Sequence, residues 1–96
     1  MRGEGVTLPR LESAGLDGWM VRLFERINES NLAWITALSR DCEAAFGAAL
    51  VDVVPSYTTL LVLFDPLALT PGEAHRRLQA LLAELRFRAL VSVTVQ

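Results

Sequence analysis

The hydrophobic positions of this chain change their repeat several times, and each change marks an element. From Trp19 to Glu25 the side chains alternate: Trp19, Val21 and Leu23 fall on one face, Met20, Arg22 and Phe24 on the other. This predicts a strand whose second face, broken by Arg22, is only partly buried. Over residues 29–46 the repeat lengthens to three and four. Leu32, Ile35, Leu38, Cys42 and Phe46 form an apolar stripe, with Glu29, Thr36, Ser39, Arg40 and Glu43 largely opposite. That is a helix, which Asn28 or Ser30 can cap and Gly47 can end in a left-handed conformation. Leu50 to Val54 is rich in β formers and stops at Pro55, which lacks a ladder N–H.

Thr58 to Phe64 is apolar on both faces, Leu60, Val62 and Phe64 against Leu61 and Leu63. Such a strand is central, or is covered on both sides. Asp65-Pro66 starts a turn, and Thr70-Pro71-Gly72-Glu73 is a capping box with proline at the first helical position. The helix it opens runs to about Arg86, with Ala74, Leu78, Leu81, Leu82 and Leu85 along one side and a Glu73–Arg77 pair at i,i+4. Beyond it, Ala89, Val91, Val93 and Val95 alternate with Leu90, Ser92, Thr94 and Gln96, which predicts a last, half-buried strand. Ahead of Trp19, residues 1–9 read as a flexible leader, Arg10 to Ser13 as a short strand, and Ala14 to Gly18 as a turn.

The expected order is β-α-β-β-α-β with an extra strand at the N-terminus. That is an α+β fold of the ferredoxin-like split βαβ kind, an antiparallel four-stranded sheet with two helices on one face. Residues 10–96 form a single α+β domain in this reading. The 96 residues suffice for one domain, and 52% hydrophobic against 21% charged residues excludes a disordered chain. No apolar run reaches the roughly 20 residues that span a bilayer, and Met1 to Gly5 leads into no apolar signal segment. A single cysteine, Cys42, excludes a disulfide framework and a cysteine-built zinc site. A net charge of −2 does not suit a broad grip on nucleic acid. The chain therefore reads as cytoplasmic and globular, with neither nucleic acid nor membrane as partner. All nine basic residues are arginine, scattered along the chain as a coding bias would scatter them.

The chemistry usual for this topology finds no residues to carry it. A metal chaperone needs Cys-x-x-Cys, which is absent. An RNA-binding sheet needs adjacent aromatics among basic residues, but Trp19 and Phe24 point to opposite faces. An acylphosphatase-like site needs a glycine-rich phosphate loop with an arginine, and Ala14 to Gly18 makes a poor cradle. His75 has no second histidine or cysteine nearby and reads as a solvated surface residue. Cys42 lies on an apolar stripe, where a thiol is inert filler. Asp17, Asp52 and Asp65 sit at strand or turn boundaries and form no acid–base pair. No catalytic, cofactor or metal site is expected within the chain. The informative feature is the doubly apolar strand, because a split βαβ sheet leaves one face open. Leu61 and Leu63, with Tyr57 and Trp19, are the interface candidates. The cover is a second domain, a partner subunit, a homodimer contact or the leader itself.

The stretch Val51-Asp52-Val53-Val54-Pro55-Ser56-Tyr57-Thr58-Thr59-Leu60-Leu61-Val62-Leu63-Phe64-Asp65-Pro66 resembles the N-terminal domain of a family of 5-oxoprolinase components, also called allophanate hydrolase subunit 1. Sporulation histidine-kinase inhibitors of the Kip type are relatives. The family pattern is an apolar strand ending in Val-Pro-x-Tyr, a small polar pair, an apolar strand and Asp-Pro. Gly15-Leu16-Asp17, Asn31 and the stretch Arg88 to Val95 fit in order, although Leu16 separates a glycine and aspartate that the family usually joins, and Glu25 follows Phe24 where the family often has Phe-Gly. The resemblance implies an N-terminal assembly and interaction domain in a hydrolase subunit, not catalytic alone and holding no cofactor. ATP would enter only through the parent complex, which opens 5-oxoproline or hydrolyses allophanate. The implied partners are a cyclophilin-like barrel domain, usual after this point but absent here, and a partner hydrolase subunit. Two other roles stay open: a regulatory domain of the histidine-kinase-inhibitor type, and a small amino-acid-sensing domain.

Overall fold

The computed structural model describes residues 8–95. The elements are β1 (Arg10–Ser13), β2 (Gly18–Arg22), α1 (Asn31–Phe46), a short 3₁₀ turn (Gly47–Ala49), β3 (Leu50–Pro55), β4 (Thr59–Phe64) and α2 (Pro71–Val95). The four strands form one sheet in the order β1-β2-β4-β3, antiparallel throughout. This is the expected α+β architecture, an antiparallel sheet with two helices. Among the described residues no helix is long and apolar enough to cross a membrane.

Alternation along β4 sets the layers. Leu60, Val62 and Phe64 are buried, while Leu61 and Leu63 are half-buried on the other side. Val21 joins the first set from β2, Ile35, Leu38, Cys42 and Phe46 from α1, and Ala74, Leu78, Leu82 and Leu85 from α2. Each large aliphatic side chain removed from water here contributes about 2 kcal/mol of hydrophobic stabilisation.

The helix ends follow local chemistry. Ser30 precedes α1 without capping it; Asn28 Oδ1 instead accepts from both Ser30 N–H and Ser30 Oγ at 2.9 Å. Gly47 ends α1 at φ +57°, a region that favours glycine, and its N–H donates to Glu43 O. At the start of α2, Glu73 N–H donates to Thr70 Oγ1 over 3.1 Å, the capping contact that the sequence predicts. Arg77 lies 3.5 Å from Glu73 and donates through Nη1 to Ala45 O, tying α2 to the end of α1.

The last element departs from expectation. Residues 89–95, read as a strand from their alternation, continue α2, and Gln96 lies outside the described residues. Two physical reasons account for this. After Gly72 neither glycine nor proline interrupts the segment. The sheet position beside β2 is also already held by β1. The leader expected over residues 1–9 falls largely outside the described residues.

Burial pushes the Cys42 thiol from 9.0 up to about 12, with the Asp41 and Glu43 charges adding to the effect. The folded state thus favours the protonated thiol, and the unfolded chain releases the proton first as pH rises. Stability from this group is complete below pH 9.0 and declines from there towards about 12. Urea unfolding of the wild type against Cys42→Ala across that range should show the decline in the wild type only. The native thiol should also resist a thiol reagent that modifies the unfolded chain within minutes.

Candidate interaction surface

Register across the sheet places one row of side chains on the face turned away from the helices. Glu12 stands opposite Met20, Met20 opposite Leu61, and Leu61 opposite Val54. The neighbouring row sets Gly18 opposite Leu63 and Leu63 opposite Asp52. Met20, Leu61, Leu63 and Val54 thus form one apolar patch, with Val54 47% exposed. At the β1 side the patch meets charge. Glu12 pairs with Arg10 at 2.8 Å and reaches Arg22 Nε at 3.7 Å.

Gly18 supports this surface. A Cβ added there would lie 3.0 Å from the Ala14 carbonyl oxygen and 3.0 Å from Leu63 Cδ2. Leu63 therefore lies across the bare backbone of β2, and the patch stays low. A glycine inside a strand pattern is itself a sign of such close approach; the turn assignment given to Gly18 from sequence hid it.

At one end of the sheet the segment Pro55 to Thr59 forms a knot. Ser56 Oγ accepts from Thr59 N–H at 3.1 Å and lies 2.7 Å from Thr59 Oγ1. Thr58 O receives Leu23 N–H and Phe24 N–H, which is why β2 ends at Arg22 rather than running on to Glu25. Tyr57 O accepts from Asn31 Nδ2 at 2.9 Å, and Arg26 O accepts from the same amide at 2.8 Å. Asn31 is 5% exposed. One buried amide thus fastens the hairpin, the β2–α1 loop and the first turn of α1.

The four interface candidates do not lie together. Leu61 and Leu63 share the open face. Tyr57 is 43% exposed at the hairpin end. Trp19 faces the helices, where its indole N–H donates to Pro71 O at 3.0 Å and its ring meets His75 at 4.8 Å. His75 is accordingly half-buried against an aromatic ring rather than fully solvated. Met20, Val54 and Gly18, none of them among the candidates, complete the patch that Leu61 and Leu63 begin.

Residues 9–94 match the family model described as "Carboxyltransferase domain, subdomain C and D". Among solved structures, the conserved uncharacterized protein PH0987 from Pyrococcus horikoshii is similar at a TM-score of 0.76 and 26% identity, over 82% of this chain and 37% of that one. The chain therefore spans little more than a third of that protein. The N-terminal domain of the histidine kinase inhibitor KipI from Bacillus subtilis shares the fold, with a TM-score of 0.63 and 24% identity over 79% of this chain and 85% of that domain. No curated protein sequence matches.

Three substitutions test this surface. Asn31→Ala leaves two carbonyls without their donor and should cost about 2 kcal/mol in urea unfolding. Gly18→Val should cost about 2 kcal/mol by lifting Leu63 and pressing on a backbone oxygen, whereas Leu61→Ser, on the same face, should cost less than about 1 kcal/mol.

Proposed function

The chain belongs to the carboxyltransferase subdomain C and D family, and we propose that it is the assembly domain of a hydrolase subunit, docking the remainder of that subunit through its open sheet face. The parent activity in this reading is the ATP-dependent opening of 5-oxoproline or the hydrolysis of allophanate, carried out in the cytoplasm by parts other than this one. The observation that carries the proposal is the patch of Met20, Leu61, Leu63 and Val54 on the face opposite the helices. Apolar side chains grouped on a sheet face mark a contact surface more often than a solvated one. The occupant is a neighbouring domain because a longer relative carries extensive chain beyond the part matched here. The residues of the resemblance support the same reading, since Val54 and Leu61 belong both to the family-like stretch and to the patch.

Such a contact would be maintained by shape and apolar burial, with the Arg10–Glu12–Arg22 charges at its rim setting orientation rather than affinity. The test is binding in solution. This chain, mixed with the barrel domain and the partner hydrolase subunit encoded in the same genome, should co-elute with at least one of them. Leu61→Asp should weaken that association about tenfold or more, with the circular dichroism of the free domain unchanged. Failure to co-elute with either, or equal association by Leu61→Asp, would refute the assignment. A Leu61-dependent homodimer that excludes both partners would replace it.

A further inference from the structure

The two edges of the sheet are not equivalent. Edge strand β3 is closed to pairing in three ways. Its register shifts between Leu50 and Asp52, the Val53 N–H is taken by Asp52 Oδ1 at 2.8 Å, and Pro55 has no N–H to offer. Edge strand β1 keeps a regular register from Arg10 to Ser13, and only Pro9, just ahead of it, lacks an N–H. It pairs with β2 on one side, and among the described residues no strand pairs with the other. Half the peptide groups of an edge strand point away from its partner. Beside β1 lies a groove of about 390 Å³, whose first wall is Pro9, Arg10 and Leu11 and whose second wall is α2 at His75, Gln79, Leu82, Ala83 and Arg86.

We propose that this groove receives an extended segment of a partner protein, which adds a fifth strand beside β1. The shape and the chemistry both favour a strand over a compact metabolite. The groove is bounded by residues of an edge strand along one side and by a helix along the other. A segment paired to β1 would turn alternate side chains to opposite faces. Those turned to the helices meet Leu11, Leu82 and Ala83 and should be apolar. Those turned to the open face come beside Arg10 and Glu12 of β1, which pair with each other at 2.8 Å, with Arg22 one strand further in. The groove itself is lined by the guanidiniums of Arg10 and Arg86 and by no carboxylate among its lining residues, which favours acidic side chains in the segment. The preferred segment therefore alternates acidic and β-branched residues.

This strand-addition site is separate from the open-face contact proposed above, and each can fail without the other. The probe is an acetylated, amidated hexapeptide of alternating glutamate and valine, titrated into the ¹⁵N-labelled chain. Saturable shifts should appear at Arg10 to Ser13 and along α2 between His75 and Arg86, with a dissociation constant of about 1 mM or tighter. Tryptophan fluorescence should respond through the contact of Trp19 with His75. Methylating alternate peptide nitrogens, in the phase that pairs with β1, should weaken binding about tenfold or more. The lysine–valine hexapeptide should bind about tenfold more weakly. Ala83→Glu, at an exposed position on the groove wall, should weaken binding similarly, while Leu61→Asp should leave it unchanged. No saturable shift up to about 10 mM, equal binding by peptides methylated in either phase, or shifts gathered at Leu61 and Leu63 would overturn the proposal. Equal binding by the lysine peptide would overturn its charge preference.

Discussion

Everything in this domain depends on β4. Like β2 it has partners on both sides, here β2 and β3, but unlike β2 both of its faces are apolar. Burying Leu60, Val62 and Phe64 beneath α1 and α2 drives the packing of the two helices against one side of the sheet. The same alternation then sends Leu61 and Leu63 to the opposite side. A strand with period 2 cannot hide both sets with one layer of helices. The open apolar patch is thus a direct consequence of how the core is made.

The hairpin between β3 and β4 explains why the family-like residues take the places they do. Pro55 ends the ladder, Ser56 closes the turn on Thr59, and the carbonyls of Tyr57 and Thr58 are given to Asn31 and to the end of β2. The motif is read by backbone groups as much as by side chains. Its polar residues act on local geometry, and their effect reaches α1 through one buried amide. Tyr57 is left with its side chain half in water at that end.

The contrast between the edges follows from the placement of β1. By pairing with β2, the N-terminal strand takes the position in which a final strand would complete a split βαβ sheet. The sheet therefore still has four strands, and the groove between β1 and α2 lies along this edge. Asp52, unexpected inside a strand, covers an N–H on the far edge instead of taking part in chemistry.

Local signals accounted for much of this molecule. The strand starting near Trp19, the stripe of α1, the capping box at Thr70 and the doubly apolar β4 were legible because each is a short-range pattern set by side-chain period or by a cap. The patch was legible only in part. Alternation identified Leu61 and Leu63, but pairing register decides that Met20 and Val54 complete the row and that Trp19 belongs to the helix side. Register between β2 and β4 depends on residues about forty positions apart in the chain, which no local pattern specifies. The C-terminal segment departs for the same reason: its alternation suits a strand, but a strand needs a vacant neighbour, while a helix satisfies its own backbone. Periodicity determined which residues seek burial together, and the tertiary structure decided which partners were still available.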